Sequence, residues 1–160
     1  MKNIKFLLIL PIILIAVIYI NNSSEPKEIS FSEEEINISQ QKVIVYKSSS
    51  CGCCANYISL LEQEGYKVET IITSNMSNIK EKYNIPDNMK SCHTSVFGDY
   101  VVEGHVPFAA INKLLREEPD IRGIALAGMP LGSPGMSGIK RGTFDVYALT
   151  KQGTSIYWQE

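Results

Sequence analysis

Three cysteines fall within four residues in the segment Cys51-Gly52-Cys53-Cys54. The chain has one other cysteine, Cys92, and His93 follows it directly. Thiolates are soft ligands that favour Cu(I) and Zn(II), and they are also the nucleophiles of thiol–disulfide exchange. Sulfur and imidazole ligands grouped in two places therefore indicate metal or redox chemistry before they indicate a structural disulfide.

Three interpretations of the cysteines compete. A structural disulfide pair is acceptable in an exported protein, but adjacent Cys53 and Cys54 bond only with strain, and a C-x-C ring is small. A dithiol–disulfide oxidoreductase would use Cys51 and Cys54 as its catalytic C-x-x-C pair, which leaves two sulfurs without a role. Soft-metal binding uses all four thiols.

The spacing of the thiols favours copper over zinc. Structural zinc is usually held by two separate C-x(2–4)-C pairs, whereas three sulfurs in four residues suit bridging thiolates in a multinuclear Cu(I) site. We therefore expect Cu(I) first and zinc second, with redox exchange alongside. If Cys51 and Cys54 oxidise to a disulfide, the copper site is expected to be lost.

The elements around the cluster predict an α/β domain. A short buried strand at 43–47 precedes the cysteines, and a helix at 55–65 follows them. The remaining prediction is a strand at 66–72, a helix at 75–83, two strands at 93–97 and 100–103, a helix at 108–117, a long loop at 123–142 and a strand pair at 144–150 and 155–158. This order, β-α-β-α-β-β-α with an extra C-terminal β-hairpin, is that of a thioredoxin-like fold.

The predicted fold brings the distant cysteine to the cluster. In a thioredoxin-like fold the residue just before the third strand, here Cys92, faces the C-x-x-C segment. Adjacent side chains on a strand point to opposite faces, so His93 need not reach the same metal as Cys92. Further candidate ligands are His105, which ends the fourth strand, and the thioethers of Met129 and Met136 in the Gly/Pro-rich loop.

The N-terminus predicts export. Lys2 and Lys5 precede an uncharged apolar run at 6–20, which suits a signal peptide and is short for a spanning helix. We divide the chain into a signal peptide or membrane anchor at 1–20, a polar acidic linker at 21–41 and the metal-binding domain at 42–160. The domain is expected in the periplasm, either free or tethered by residues 4–20.

Composition restricts the partners. The 160 residues, 44% of them hydrophobic, suffice for one domain with a real core. The formal net charge is −2 and no basic stripe is present, which argues against nucleic acid as a partner. The expected partners are metal ions and periplasmic copper donors or acceptors, with membrane contact only through the N-terminal segment.

Four motifs in order resemble the CopG-like family of small exported metal-binding proteins, which is linked to copper resistance. The motifs, between about residues 43 and 157, are Cys51-Gly52-Cys53-Cys54, Ser91-Cys92-His93-Thr94, Val102-Glu103-Gly104-His105-Val106-Pro107 and the segment from Gly128 to Met136. The resemblance implies a thioredoxin-like fold and a cysteine-bridged copper centre on Cys51, Cys53, Cys54 and Cys92. Either binding without turnover or an oxidoreductase of thiols or copper is compatible with these residues.

Overall fold

The computed structural model describes residues 41–160, a single run of alternating strands and helices. The elements are β1 (Lys42–Lys47), α1 (Gly52–Gln63), β2 (Lys67–Ile72), α2 (Met76–Lys82), a 3₁₀ turn (Asp87–Met89), β3 (His93–Phe97), β4 (Tyr100–Glu103), α3 (Phe108–Glu117), β5 (Gly123–Ala125), β6 (Asp145–Thr150) and β7 (Gly153–Gln159). The mixed α/β class predicted from the sequence is confirmed.

All seven strands of this region form one sheet in the order β2-β1-β3-β4-β5-β6-β7. The β1–β2 and β4–β5 pairs are parallel, and the other neighbouring pairs are antiparallel. Lys47, the last residue of β1, lies opposite His93, the first residue of β3. The end of β1 and the start of β3 therefore meet at one edge of the sheet, and the two cysteine segments meet there with them.

Helices cover both faces of the sheet. Side chains of α1 and α3, among them Tyr57, Leu61, Ile111 and Leu114, join alternate residues of the strands in the larger core. A smaller core on the other face contains Ile85, which precedes the 3₁₀ turn, and Met89, its last residue, together with residues of β4, β5 and β6. Successive residues of a strand point to opposite faces of the sheet, so the strands supply side chains to both cores.

Several boundaries differ from prediction by one to three residues, and one strand was missed. Helix α1 begins at Gly52 and not at residue 55, because a cysteine side chain caps it. β2 begins one residue later than expected, at Lys67, and β7 is longer at both ends, Gly153–Gln159. The predicted loop at 123–142 contains β5, which was missed because it has only three residues and starts with a glycine.

The missed strand changes the architecture. β5 pairs with β4 on one side and with β6 on the other, so the C-terminal hairpin continues the main sheet. Gly123 packs its backbone against Val101, where a side chain would overlap the Val101 carbonyl group. Both strands of the predicted C-terminal hairpin are present as β6 and β7, and β5 joins that hairpin to the main sheet.

The N-terminal predictions lie outside the described residues. These are the signal peptide or anchor at 1–20 and the linker as far as residue 40. Within residues 41–160, no helix combines the length and the apolar character needed to cross a membrane. β1 begins at Lys42, and the predicted domain boundary there stays a prediction.

Candidate metal centre

The cysteine cluster is positioned by the start of α1. Cys51 is the N-cap residue, with an extended backbone, and its sulfur accepts a hydrogen bond from the Cys54 amide at 3.3 Å. Cys53 and Cys54 lie in the first helical turn, where unpaired amides and the helix dipole favour a thiolate. Cys54 is fully buried, and Cys51 and Cys53 are half-buried, so the cluster opens toward solvent on one side.

The structure brings all four sulfur atoms together. Cys51 and Cys54 form a disulfide with Cα atoms 5.4 Å apart, and Cys53 and Cys92 are free thiols. The Cys53 sulfur lies 3.5 Å from that of Cys51 and 3.9 Å from that of Cys92. The Cys54 and Cys92 sulfurs are 3.5 Å apart. All four sulfurs lie within 4.8 Å of one another, as the predicted fold required.

Cys92 sits just before β3 and is held by its neighbour Ser91. The Ser91 amide donates to the buried Glu103 carboxylate at 2.7 Å, and the Ser91 hydroxyl donates to the Gly128 carbonyl. Gly104 passes so close that a methyl group there would lie 2.7 Å from the Ser91 side chain. Two chain segments, at Glu103-Gly104 and at Gly128, therefore fix the backbone that carries Cys92.

A buried ion pair completes this support. Lys80 of α2 pairs with Glu103, and the side chains are 7% and 0% exposed. Glu103 also accepts from the Thr94 hydroxyl at 2.6 Å, so its charge has three donors. Sequence analysis missed both residues; an acid at the end of the apolar strand Tyr100–Glu103 was the available signal.

Two histidines lie against the Cys92 sulfur. His105 Nε2 is 3.1 Å from it and His93 Nδ1 is 3.4 Å from it. Cys92 precedes β3 and so does not alternate with His93, and whether both residues bind one metal stays a prediction. The three residues form a second group whose potential ligand atoms lie within 4.8 Å of one another.

Tyr57 of α1 packs against the two histidines of this group. Its ring centroid is 4.7 Å from that of His93 and 5.3 Å from that of His105. Its hydroxyl donates to the Val106 carbonyl at 2.9 Å, and burial raises the pKa of Tyr57. Tyr57 is thus a neutral packing residue that holds both imidazoles, a role that its place in the helical pattern alone did not indicate.

Burial determines the protonation states of Cys92, His93 and His105. It lowers the pKa of His93 to about 3, with smaller contributions from the nearby His105 and Lys80 charges. Burial also lowers the pKa of His105, although the hydrogen bond to Pro134 opposes the shift. Burial and the neighbouring Cys53 raise the pKa of the free Cys92 thiol to about 12. At neutral pH both rings are therefore neutral and Cys92 carries its proton until a metal displaces it.

The Gly/Pro-rich loop between β5 and β6 covers the start of α1. The Pro134 carbonyl accepts a hydrogen bond from His105 Nδ1 at 2.7 Å, and the Asn56 amide donates to the Gly135 carbonyl at 3.4 Å. Met136 lines a surface depression on the outer side of α1, and the Met129 side chain is 53% exposed. Their role as metal ligands stays a prediction, whereas the loop's backbone reaches the site directly.

Replacing Gly135 by alanine is expected to lift the loop from the helix. Gly135 has φ +79°, and a methyl group there would lie 2.7 Å from the Tyr57 nitrogen and 3.0 Å from the Cys53 carbonyl oxygen. Gly142→Ala is the matched control, since φ is +77° and the added methyl group meets nothing within 4 Å. In urea unfolding, Gly135→Ala should cost at least about 1 kcal/mol more than the control. Equal costs would contradict the close packing.

Acid should destabilise the protein through His93. Its pKa is about 3 in the folded chain and about 6.5 when unfolded, so below pH 6.5 the unfolded chain binds a proton that the folded one does not. The free energy of unfolding should fall by up to about 1.4 kcal/mol per pH unit until pH approaches 3. Urea unfolding at pH 7, 6, 5 and 4 measures this slope, and His93→Gln should make it shallower. The same slope in both proteins would refute the assignment.

A mixed α/β domain that gathers four cysteines and two histidines at one edge of its sheet defines a class of small thiol-rich proteins equipped to hold a metal. Two solved structures, described as "Copper resistance protein copG", form 1 and form 2, are similar to this chain. Each is 41% identical in sequence to this chain. Each match spans 76% of this chain and 98% of the solved one, and the TM-scores are 0.70 for form 1 and 0.71 for form 2. The chain therefore belongs to the family of copper resistance protein CopG.

The family model gives a shorter match. It covers residues 89–136, which contain Cys92, His93, His105 and both loop methionines, and its description is "Protein of unknown function, DUF411". No curated protein matches the chain. The resemblance read from the four sequence motifs is thereby confirmed.

Proposed function

We propose that the protein binds Cu(I) through Cys51, Cys53, Cys54 and Cys92 and acts in copper handling or resistance. The observation that carries this proposal is the approach of four sulfurs to within 4.8 Å of one another in a member of the CopG family. Sulfurs that share one tetrahedral ion at about 2.3 Å stand about 3.8 Å apart. The separations of 3.5 Å and 3.9 Å suit shared ions once the disulfide is reduced.

Copper is preferred to zinc because of how the thiols are placed. Cys53 lies between two potential ligand sulfurs, those of Cys51 and Cys92, which favours a bridging thiolate. Bridging thiolates hold several Cu(I) ions, whereas a single zinc ion takes four terminal ligands. Copper is here the cargo, received from and passed to other components outside the cytoplasm.

The wider setting of the proposal is a thioredoxin-like domain in the periplasm. The strand order β2-β1-β3-β4, with the C-x-x-C segment between β1 and α1, supports the fold proposal. The apolar run at 6–20 supports export, as a cleaved signal or as a tether, with 21–41 as a linker.

Titration with Cu(I) tests the proposal. The protein is reduced, kept anaerobic and titrated against a chromophoric Cu(I) chelator, and we expect more than one copper per chain. The Cys53→Ser variant should bind fewer ions. One ion or less, unaffected by Cys53→Ser, would exclude the multinuclear site. Metal analysis after expression in copper-supplemented medium separates copper from the zinc alternative.

A second candidate function is oxidoreductase activity toward thiols or copper. The disulfide between Cys51 and Cys54 at the start of α1 favours it, since this is the position where a helix lowers a thiol pKa. In this function Cys51 and Cys54 are the catalytic pair. Copper-reduction and insulin-reduction assays with the wild-type protein test it, and the absence of turnover in both would eliminate it.

A further inference from the structure

We propose that Cys92, His93 and His105 form a second metal position, which takes one divalent cation of the Zn²⁺ type and persists while Cys51 and Cys54 are disulfide-bonded. This position adjoins the proposed Cu(I) site and shares Cys92 with it. It does not require the four cysteines to bind copper. Imidazole and thiolate together suit borderline ions such as zinc, whereas a purely sulfur set suits Cu(I).

The three side chains have the spacing of common ligands. Their ligand atoms lie within 4.8 Å of one another, and the sulfur–nitrogen separations are 3.1 Å and 3.4 Å. Around a tetrahedral zinc ion, with bonds of about 2.3 Å to sulfur and about 2.0–2.1 Å to nitrogen, these separations are about 3.6 Å. Both sulfur–nitrogen separations are thus within about half an ångström of those around a bound zinc ion.

The hydrogen bond from His105 fixes which nitrogen is free to bind. The Pro134 carbonyl only accepts hydrogen bonds, so Nδ1 of His105 carries the hydrogen in the 2.7 Å contact. In the neutral ring the lone pair is then on Nε2, which faces the Cys92 sulfur at 3.1 Å. A ring nitrogen oriented by a backbone carbonyl on its far side is the usual arrangement of a metal-binding histidine.

His93 adds a fully buried imidazole to the group. Its Nδ1 faces the Cys92 sulfur at 3.4 Å, and its Nε2 has no hydrogen-bond partner within the described residues. Cys92 has a single S–H hydrogen, which can serve only one of the two neutral imidazoles. A cation bound by all three residues would replace that hydrogen and use the lone pairs of His105 Nε2 and His93 Nδ1, the two nitrogens that face the sulfur.

This group is independent of the disulfide. The sulfurs of Cys51 and Cys54 are bonded to each other, whereas Cys92 is free. The two candidate ligand groups among residues 41–160 share Cys92 and no other residue. Oxidation of the C-x-x-C pair therefore removes two ligands from the proposed copper site and none from this group. The expectation that oxidation removes the copper site concerns the four-cysteine set and does not extend to this group.

The test uses the full protein in its disulfide form, in which alkylation labels only Cys53 and Cys92. Titration with Zn²⁺, and with Co²⁺ as a coloured substitute, should give one ion per chain. His105→Gln and His93→Gln should each weaken binding at least about 10-fold. Loss of a residue that hydrogen-bonds to a metal ligand already lowers affinity by about this factor, and loss of the ligand itself should lower it no less. Ser59→Ala, at an exposed position of α1 outside both candidate ligand groups, is the control and should leave binding unchanged.

X-ray absorption of the zinc-loaded wild-type protein gives a readout that needs no variant. We expect one sulfur and two imidazole nitrogens around the ion. An absence of binding to the disulfide form would overturn the proposal. So would binding that both histidine variants retain. Failure of the proposed copper function is a separate result, because it is measured with Cu(I) on the reduced protein.

Discussion

Replacing Cys92 by serine should lower the Cu(I) affinity of the reduced protein by at least about 100-fold. Loss of a residue that only hydrogen-bonds to a metal ligand typically lowers affinity about 10–100-fold, and loss of the ligand itself should cost more. The reason is the central place of this sulfur. Within residues 41–160, Cys92 is the residue common to both candidate ligand groups. Its sulfur lies within 4 Å of two other sulfurs and of both imidazoles. Serine keeps the size of the side chain and removes the soft ligand.

Cys53→Ser provides the comparison for this result. Cys53 contacts the sulfurs of Cys51 and Cys92 and has no hydrogen bond to a histidine among the described residues. Competition with a chromophoric chelator under anaerobic conditions should therefore show a smaller loss of affinity for Cys53→Ser than for Cys92→Ser. Unfolding curves of both variants check that the fold is retained. Unchanged affinity and stoichiometry in Cys92→Ser would show that copper binds elsewhere.

The second large effect is expected at the buried ion pair. Lys80→Met should lower the free energy of unfolding by about 3–5 kcal/mol, because it leaves the carboxylate of Glu103 buried without its counter-ion. In a domain of this size such a loss lowers the melting temperature by roughly 10 °C or more. Thermal and urea unfolding both measure it.

A double-mutant cycle separates the charge from the packing. Glu103→Gln removes the charge, while its amide oxygen can still accept from the Ser91 amide. In that background Lys80→Met should cost far less, with a coupling energy at the upper end of the usual range of about 0.5–3 kcal/mol. If Lys80→Met costs the same in both backgrounds, the effect comes from lost packing of the lysine stem, and the ion-pair explanation is wrong.

The fold was predictable where local pattern and tertiary structure agree. The bounds of β3, β4 and α3 were predicted to the residue, since a Gly98-Asp99 turn and Pro107 mark them. β5 could not be predicted from the sequence pattern, because three residues are too few to show the alternation typical of a strand. Its pairing with β4 on one side and β6 on the other makes it a strand. The earlier start of α1 depends on a cysteine acting as N-cap, an uncommon cap residue.

The site residues also fall into two groups, those that local sequence identifies and those whose contacts depend on tertiary structure. Residue type and spacing identified the four cysteines, and the predicted fold explained why Cys92 should join the others. The contacts of His93 and His105 depend on ring orientations set by Tyr57 and by the Pro134 carbonyl. A backbone carbonyl has no residue-type signature, so the loop could be predicted only as a source of methionine ligands, whereas its backbone makes the contact.

The separation of 38 positions between Cys54 and Cys92 imposes an order on events in the living cell. Cys51 and Cys54 are synthesised first and are separated by a short loop, which closes rapidly even in an unstructured chain. Cys92 reaches them only after β1 and β3 have paired, a non-local step that is slower. Oxidants therefore meet the C-x-x-C pair before the complete ligand set exists. In the export proposed above, the reductant that the chain meets, more than metal supply, determines which form each molecule first adopts.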